Sequence, residues 1–209
     1  MPPEVDAAIA ASEQPTGPVG LLAGIRSVSL QLDSPIMGGV VVGLSAIENA
    51  YLVLSAKGIG PYHRDIAALR VVIEHLTALE GDFWVRLRGA GLTYGAALYN
   101  LSEMEQLELT LYRCGDATAA YTAAKEIVVE YASGKATISE IALEGAKSSL
   151  TYSIISCTAN KPAAVSSQWA AGYTGVQADY TSWLLLQVDE VSAEDALDAL
   201  KVHLTPLFD

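Results

Sequence analysis

Phe83-Trp84-Val85-Arg86-Leu87-Arg88-Gly89-Ala90-Gly91-Leu92-Thr93-Tyr94-Gly95 is the stretch whose reading decides the fold. Before it, Ile66, Leu69, Ile73 and Leu76 recur at helical spacing. After it, residues 94–98 and 107–112 read as the two strands of a hairpin with a polar turn at Ser102-Glu103. The stretch is therefore a passage from a helix ending near Gly81 into a hairpin beginning near Gly95. Gly89, Gly91 and Gly95 leave the backbone little side-chain cover, so another chain can approach closely. Among them stand a permanent cation, Arg88, and a phenol, Tyr94. Arginine can hold a carbonyl or carboxylate, and tyrosine can donate to a developing oxyanion. The plainer alternative is a loop whose arginine is solvated and whose tyrosine caps a core.

Outward from this passage, Ala50 to Ala56 is apolar enough for a strand covered on both faces, ended by Lys57-Gly58. Pro61 opens the helix that follows. On the C-terminal side, Asp116 is placed to cap a helix through about Tyr131, stopped by Gly134. Thr137-Ile138-Ser139-Glu140 has the form of a capping box for a helix to about Cys157. Pro162 begins another through Trp169, and Ser192-Ala193-Glu194-Asp195 caps a last helix that Pro206 ends. Residues 1–26 read as a flexible leader or inherited linker, because four of the eight prolines fall in residues 1–20. Ser27 to Leu32 alternates like a strand, and Val40-Val41-Val42 is a further short candidate. One sheet and several long helices, out of strict alternation, predict an α+β domain over residues 27–209.

Twenty-four acids against 12 bases leave a formal charge of −12, which excludes nucleic acid and anionic membrane surfaces as partners. No apolar run reaches the roughly 18 residues of a membrane helix. The acidic start, Met1 to Asp6, lacks the bases of a signal or transit peptide, so the expectation is cytoplasmic. A transit peptide upstream in a longer protein would make it mitochondrial. The two cysteines, Cys114 and Cys157, read as reduced thiols in the core or half-buried. There is no Gly-x-Ser-x-Gly elbow and no phosphate loop. Tyr112, Tyr121, Tyr131, Tyr152, Tyr173, Tyr180 and Trp183 read as core edge and helix packing, with a peptide-binding wall as the alternative.

The Arg-Gly-x-Gly-Leu-x-Tyr-Gly of residues 88–95 has further stretches in order around it. These are Ile47-Glu48-Asn49-Ala50-Tyr51, Ala68-Leu69-Arg70, Leu111-Tyr112-Arg113, Ala146-Lys147-Ser148-Ser149 and Pro206-Leu207-Phe208-Asp209. Together they resemble the C-terminal half of the pitrilysin/insulinase family of zinc metallopeptidases, over about Ile47 to Asp209. The likeness is to the large single-chain fungal and animal members related to the presequence-degrading enzymes. It implies a two-layer sandwich, an antiparallel sheet with helices packed on one face. Family domains continue past Pro206-Leu207-Phe208-Asp209 with a further strand, so a sheet lacking its last strand, with an open edge, is expected.

The resemblance also implies roles. In the family, an Arg and a Tyr at the positions of Arg88 and Tyr94 reach across a chamber to the scissile peptide. Zinc is held in the N-terminal half by His-x-x-Glu-His. Here residues 71–75 read Val-Val-Ile-Glu-His, so Glu74 and His75 fit while Val71 stands where the first ligand would be. No two of His63, His75 and His203 are four apart, and the expectation is no metal and no cofactor in this chain, with zinc belonging to the full-length family enzyme. Glu74-His75 is either a relic of duplication or a solvated pair on a helix face. The chain then reads as the substrate-contacting C-terminal domain of an insulinase-type zinc metalloendopeptidase, inert alone. Its partners would be a zinc-bearing N-terminal half or a second copy, and a peptide substrate. The alternative is a non-catalytic scaffold or interaction subunit with the same fold. A small-ligand-binding α+β protein rests on apolar composition alone.

Overall fold

Leu54, Leu109 and Leu98 stand side by side in one row across three strands. The strands are β1 (Ala50–Lys57), β2 (Thr93–Leu101) and β3 (Gln106–Cys114), antiparallel throughout, in the order β1-β3-β2. The computed structural model describes Val41 and residues 47–208. Apart from Val41, the expected leader at 1–26 and the strands at 27–32 and 40–42 lie outside the described residues.

Alternation sorts the sheet into two faces. Leu107, Leu109 and Leu111 of β3 are fully buried, while Gln106, Glu108 and Thr110 between them are only half-buried. In β1, Leu52, Leu54 and Ala56 turn inward, and Tyr51, Val53, Ser55 and Lys57 are exposed. The expectation of a β1 covered on both faces is therefore corrected: helices cover one face. The other carries Val53 and Tyr99, each half or more exposed.

Among the described residues, five of the six helices are longer than two turns. Helix α1 (Ile66–Thr77) lies at the centre of the helical layer, with Ile66, Leu69, Val72 and Leu76 buried. It begins after a turn containing Pro61 and ends at Thr77, earlier than Gly81 suggested. Glu80 takes a positive φ of 70°, and a Cβ on Gly81 would meet three carbonyl oxygens at 2.9–3.1 Å. Helix α2 (Ala117–Ala132) is capped by Asp116, whose Oδ1 accepts from Ala119 N–H at 2.9 Å, as expected. Helix α3 (Glu140–Ser156) is capped by Ser139, not Thr137: Ala142 N–H donates to Ser139 Oγ. Asn160 caps α4 (Lys161–Thr174), which runs past Trp169 to Gly175, in the left-handed region.

Helix α5 (Tyr180–Glu190) had no counterpart in the sequence reading; only Leu184 and Val188 are buried in it. Helix α6 (Ala193–Ala199) opens on the expected capping box of Ser192 and Asp195. It winds on through a π turn, Leu200–Leu204, and a 3-10 turn, Thr205–Phe208. Leu200, Leu204, Leu207 and Phe208 are buried there, so this C-terminal segment closes the core. Each such side chain contributes roughly 1.5–3 kcal/mol of burial. Cys114 is buried and Cys157 exposed, both as free thiols, which corrects the expectation for Cys157. Among the described residues, no helix is long and apolar enough to cross a membrane.

Candidate functional site

The deciding stretch is more helical than a loop. Residues Trp84–Arg88 form a π turn, in which Gly89 N–H donates to Trp84 O at 2.8 Å and Leu92 N–H to Leu87 O at 2.9 Å. Phe83 and Leu87, four apart, are buried and pin it to the core. Two of the glycines answer to this local geometry, not to an approaching partner. A Cβ on Gly89 would sit 2.5 Å from Val85 O, and Gly91 has φ +73°. Gly95 differs: a Cβ there would meet nothing nearer than Tyr112 Cβ at 4.0 Å.

Trp84 and Arg88, also four apart, each follow that buried pair by one position, Trp84 half-buried and Arg88 exposed. The Arg88 guanidinium carbon is 4.1 Å from the centre of the Trp84 ring and 4.7 Å from that of Tyr94. The cation is thus held by two aromatic rings, each contact worth about 0.5–1 kcal/mol at an exposed site. Tyr94 is 59% exposed and Arg88 is exposed. Among the described residues, neither the Tyr94 hydroxyl nor the Arg88 N–H groups have a hydrogen-bond partner. The plainer expectation for Tyr94, a cap on the core, does not describe this geometry. Neighbouring Arg86 is committed elsewhere: its Nη1 donates to Glu130 Oε2 at 2.6 Å and ties the turn to α2.

The contacts continue across the sheet. Tyr94 meets Tyr112 of β3 edge-on at 6.3 Å between ring centres, and Tyr112 meets Tyr51 of β1 at 5.2 Å. Arg113, in the left-handed region at φ +54°, places its guanidinium 5.3 Å from the Tyr112 ring. Trp84, Arg88, Tyr94, Tyr112 and Tyr51 therefore form one ladder, exposed except at the half-buried Trp84, with Arg113 beside it. Flat rings with guanidinium edges between them can stack on a planar peptide group and donate to its carbonyl. Sequence reasoning singled out Arg88 and Tyr94 but missed their aromatic supports. The signal was present, since Tyr51 and Tyr112-Arg113 lie in two stretches quoted for other reasons, but pairing them needs the strand register.

Glu74 and His75 part company. His75 Nε2 lies 3.0 Å from the Tyr131 hydroxyl, which donates to Asp82 Oδ2 at 2.6 Å. Glu74 Oε1 accepts from Ser149 Oγ. Burial holds the His75 pKa below its ordinary value, against the pull of Asp82. Burial, then the bond to Asp82, raises that of Tyr131. The two side chains serve separate structural contacts and do not converge. Lys147 is structural as well, its Nζ donating to the carbonyls of Asp189 and Val191 at the end of α5. The remaining aromatics divide: Tyr62, Tyr180 and Trp183 cluster at 5.3–5.6 Å, whereas Tyr152 is 76% exposed. A groove of about 720 Å³ runs beside β2, lined by Arg70, Leu98, Tyr99, Leu150 and Tyr180 among others.

Solved structures share this architecture. The chain is similar to the inactive peptidase domain of a candidate zinc protease from Bordetella parapertussis (TM-score 0.64, 15% identity, 78% of this chain and 89% of that one). It is also similar to a peptidase M16 inactive domain from Pseudomonas fluorescens (0.60, 20%, 75% and 38%). A protease from Helicobacter pylori gives 0.68 at 13% identity, over 80% and 41%. The α+β half-domain fold of M16-like peptidases is therefore the fold of this chain. No protein-family model matches it. In sequence it is similar to uncharacterized proteins of Saccharomyces cerevisiae (36% identical over 113 residues, 53% of this chain) and Schizosaccharomyces pombe (27% over 175 residues, 80% of this chain). The chain spans only 11% and 16% of the length of those two relatives.

Proposed function

We propose that the chain is a substrate-contacting half-domain of an insulinase-type zinc metalloendopeptidase, with the metal supplied by another half. The observation that carries this reading is the pair of free polar ends, Arg88 and Tyr94, presented together on an aromatic ladder. The likeness to inactive M16-type domains supports it. Tyr94 would donate to the oxyanion that develops on the scissile carbonyl, and Arg88 would anchor a neighbouring carbonyl or a terminal carboxylate. Tyr94 is the second residue of β2, and β2 is an edge strand among the described residues, so an extended peptide could pair alongside it. The partner would be a zinc-bearing half or, failing that, a second copy of this chain.

Quenched-peptide hydrolysis by the chain combined with a half carrying His-x-x-Glu-His tests the proposal. Turnover that requires both components supports it; cleavage indifferent to this chain refutes it. The scaffold reading has its own support in the doubly stacked Arg88, since a guanidinium held between rings also suits a permanent protein interface. It predicts tight association with the partner half and no loss of turnover in Tyr94→Phe.

A further inference from the structure

Two imidazoles and a carboxylate, none of them part of the Arg88–Tyr94 ladder, converge at the start of α1. Asp65 Oδ2 lies 3.0 Å from His203 Nε2 and 3.8 Å from His63 Nδ1. One ligand atom from each of the three residues falls within 4.8 Å of the others. Zinc–ligand bonds of about 2.0–2.2 Å place tetrahedral ligand atoms roughly 3.3 Å apart, so side-chain adjustments of up to about 1.5 Å close this set on an ion. The rings of His63 and His203 meet edge-on at 5.5 Å.

A second observation concerns Asp65 itself. It occupies the N-cap of α1, yet its side chain makes no capping hydrogen bond. Aspartate is among the favoured residues there because that bond is worth about 1 kcal/mol. Asp65 forgoes it and turns toward the two histidines. Arg64 Nε contacts Oδ1 at 3.3 Å from an 89% exposed side chain, which leaves Oδ2 to the imidazoles. Burial is graded, His203 being 11%, Asp65 26% and His63 39% exposed, so the set opens to solvent on one side. That leaves room for a water as fourth ligand.

We propose that His63, Asp65 and His203 form a three-ligand site for a zinc-class divalent cation, tying the C-terminal π turn to the start of α1. The donor set is two imidazole nitrogens and one carboxylate oxygen, which suits zinc and not magnesium or calcium. His63 Nδ1 accepts from the Asp65 N–H at 3.1 Å, so this nitrogen carries no proton, and the ion would replace that amide as the partner of its lone pair. The ion takes the Nε2 lone pair of the His203 tautomer that carries its proton on Nδ1, and Asp65 Oδ2 passes from that imidazole to the metal. Protons compete with the ion for both imidazoles, so binding weakens at acid pH. Neither Arg88 nor Tyr94 takes part, so the site is independent of the proposed peptide handling.

The test uses the full chain with Cys157→Ser, which removes the exposed thiol. Zinc is titrated calorimetrically at neutral pH and at about pH 5, and melting is followed at rising zinc. One zinc per chain at neutral pH, none at acid pH, and a melting temperature that rises with zinc are expected. Cobalt(II) should give a visible d–d absorption without a thiolate charge-transfer band. His63→Gln and His203→Gln should each weaken zinc binding at least about tenfold. His203 is nearly buried, and its substitution could compromise folding, so the exposed His63 decides. No saturable binding in the parent, or His63→Gln binding zinc as the parent does, overturns the proposal.

Discussion

Tyr131→Phe isolates what His75 is for. The Tyr131 ring is 5% exposed and packs in the core, and its hydroxyl joins Asp82 at 2.6 Å to His75 at 3.0 Å. Phenylalanine keeps the ring and deletes the link. A hydrogen bond to a charged group is worth about 1.5–3 kcal/mol. Asp82 is only half-buried and water can replace part of the loss, so about 1.5 kcal/mol is expected. For a chain of this size that lowers the melting temperature by roughly 3–6 °C.

The pH dependence has a definite sign. Burial depresses the His75 pKa from 6.5, so below that value the unfolded chain takes a proton that the folded one resists. Stability should fall as pH drops from neutrality toward the folded pKa, and His75→Gln should flatten that slope. Thermal melts of wild type, Tyr131→Phe and His75→Gln across this range provide the assay. An unchanged melting temperature in Tyr131→Phe, or a zinc response that His75→Gln abolishes, refutes the structural assignment of His75.

Gly89→Ala should cost about 1–3 kcal/mol, because its Cβ meets Val85 O at 2.5 Å, whereas Gly95→Ala should stay within about 0.5 kcal/mol; denaturant melts separate them. Arg86→Ala breaks the partly exposed pair with Glu130 and should lower the melting temperature only slightly, with less effect at high salt. An edge strand and an exposed aromatic ladder predict concentration-dependent association, read by light scattering; a strict monomer at all concentrations contradicts it.

The elements most readable from sequence were those with a local chemical marker. Asp116 and Ser192 announce helix starts because a short oxygen-bearing side chain must satisfy an orphan amide. At Thr137 the same logic landed two residues early, since both Thr137 and Ser139 can cap and the winner, Ser139, follows from where Ile138 and Leu143 are buried. Helix α5 escaped notice because only Leu184 and Val188 are fully buried, while Trp183 and Leu185 pack on the core from its edge, so no narrow stripe stands out in Trp183-Leu184-Leu185-Leu186. β1 misled in the opposite sense: its exposed Tyr51 and Val53 are as apolar as its buried partners. At the site, Arg88 and Tyr94 were readable as a pair, but Trp84, Tyr112 and Tyr51 join them only through a π turn and the β1-β3-β2 order. The histidine pair around Asp65 is less legible still, because His63 and His203 stand at opposite ends of the domain's sequence.

The central claim, that this half-domain acts on peptide through Tyr94, meets its most direct test in Tyr94→Phe. The measurement is kcat for a quenched peptide with a zinc-bearing half present, expressed per folded molecule and set beside the melting temperature. The exposed hydroxyl has no partner among the described residues, so melting should not move. Loss of one oxyanion donor should lower kcat by about 10²–10³, with a smaller change in KM. A variant that melts like wild type and cleaves at the wild-type rate would contradict the account.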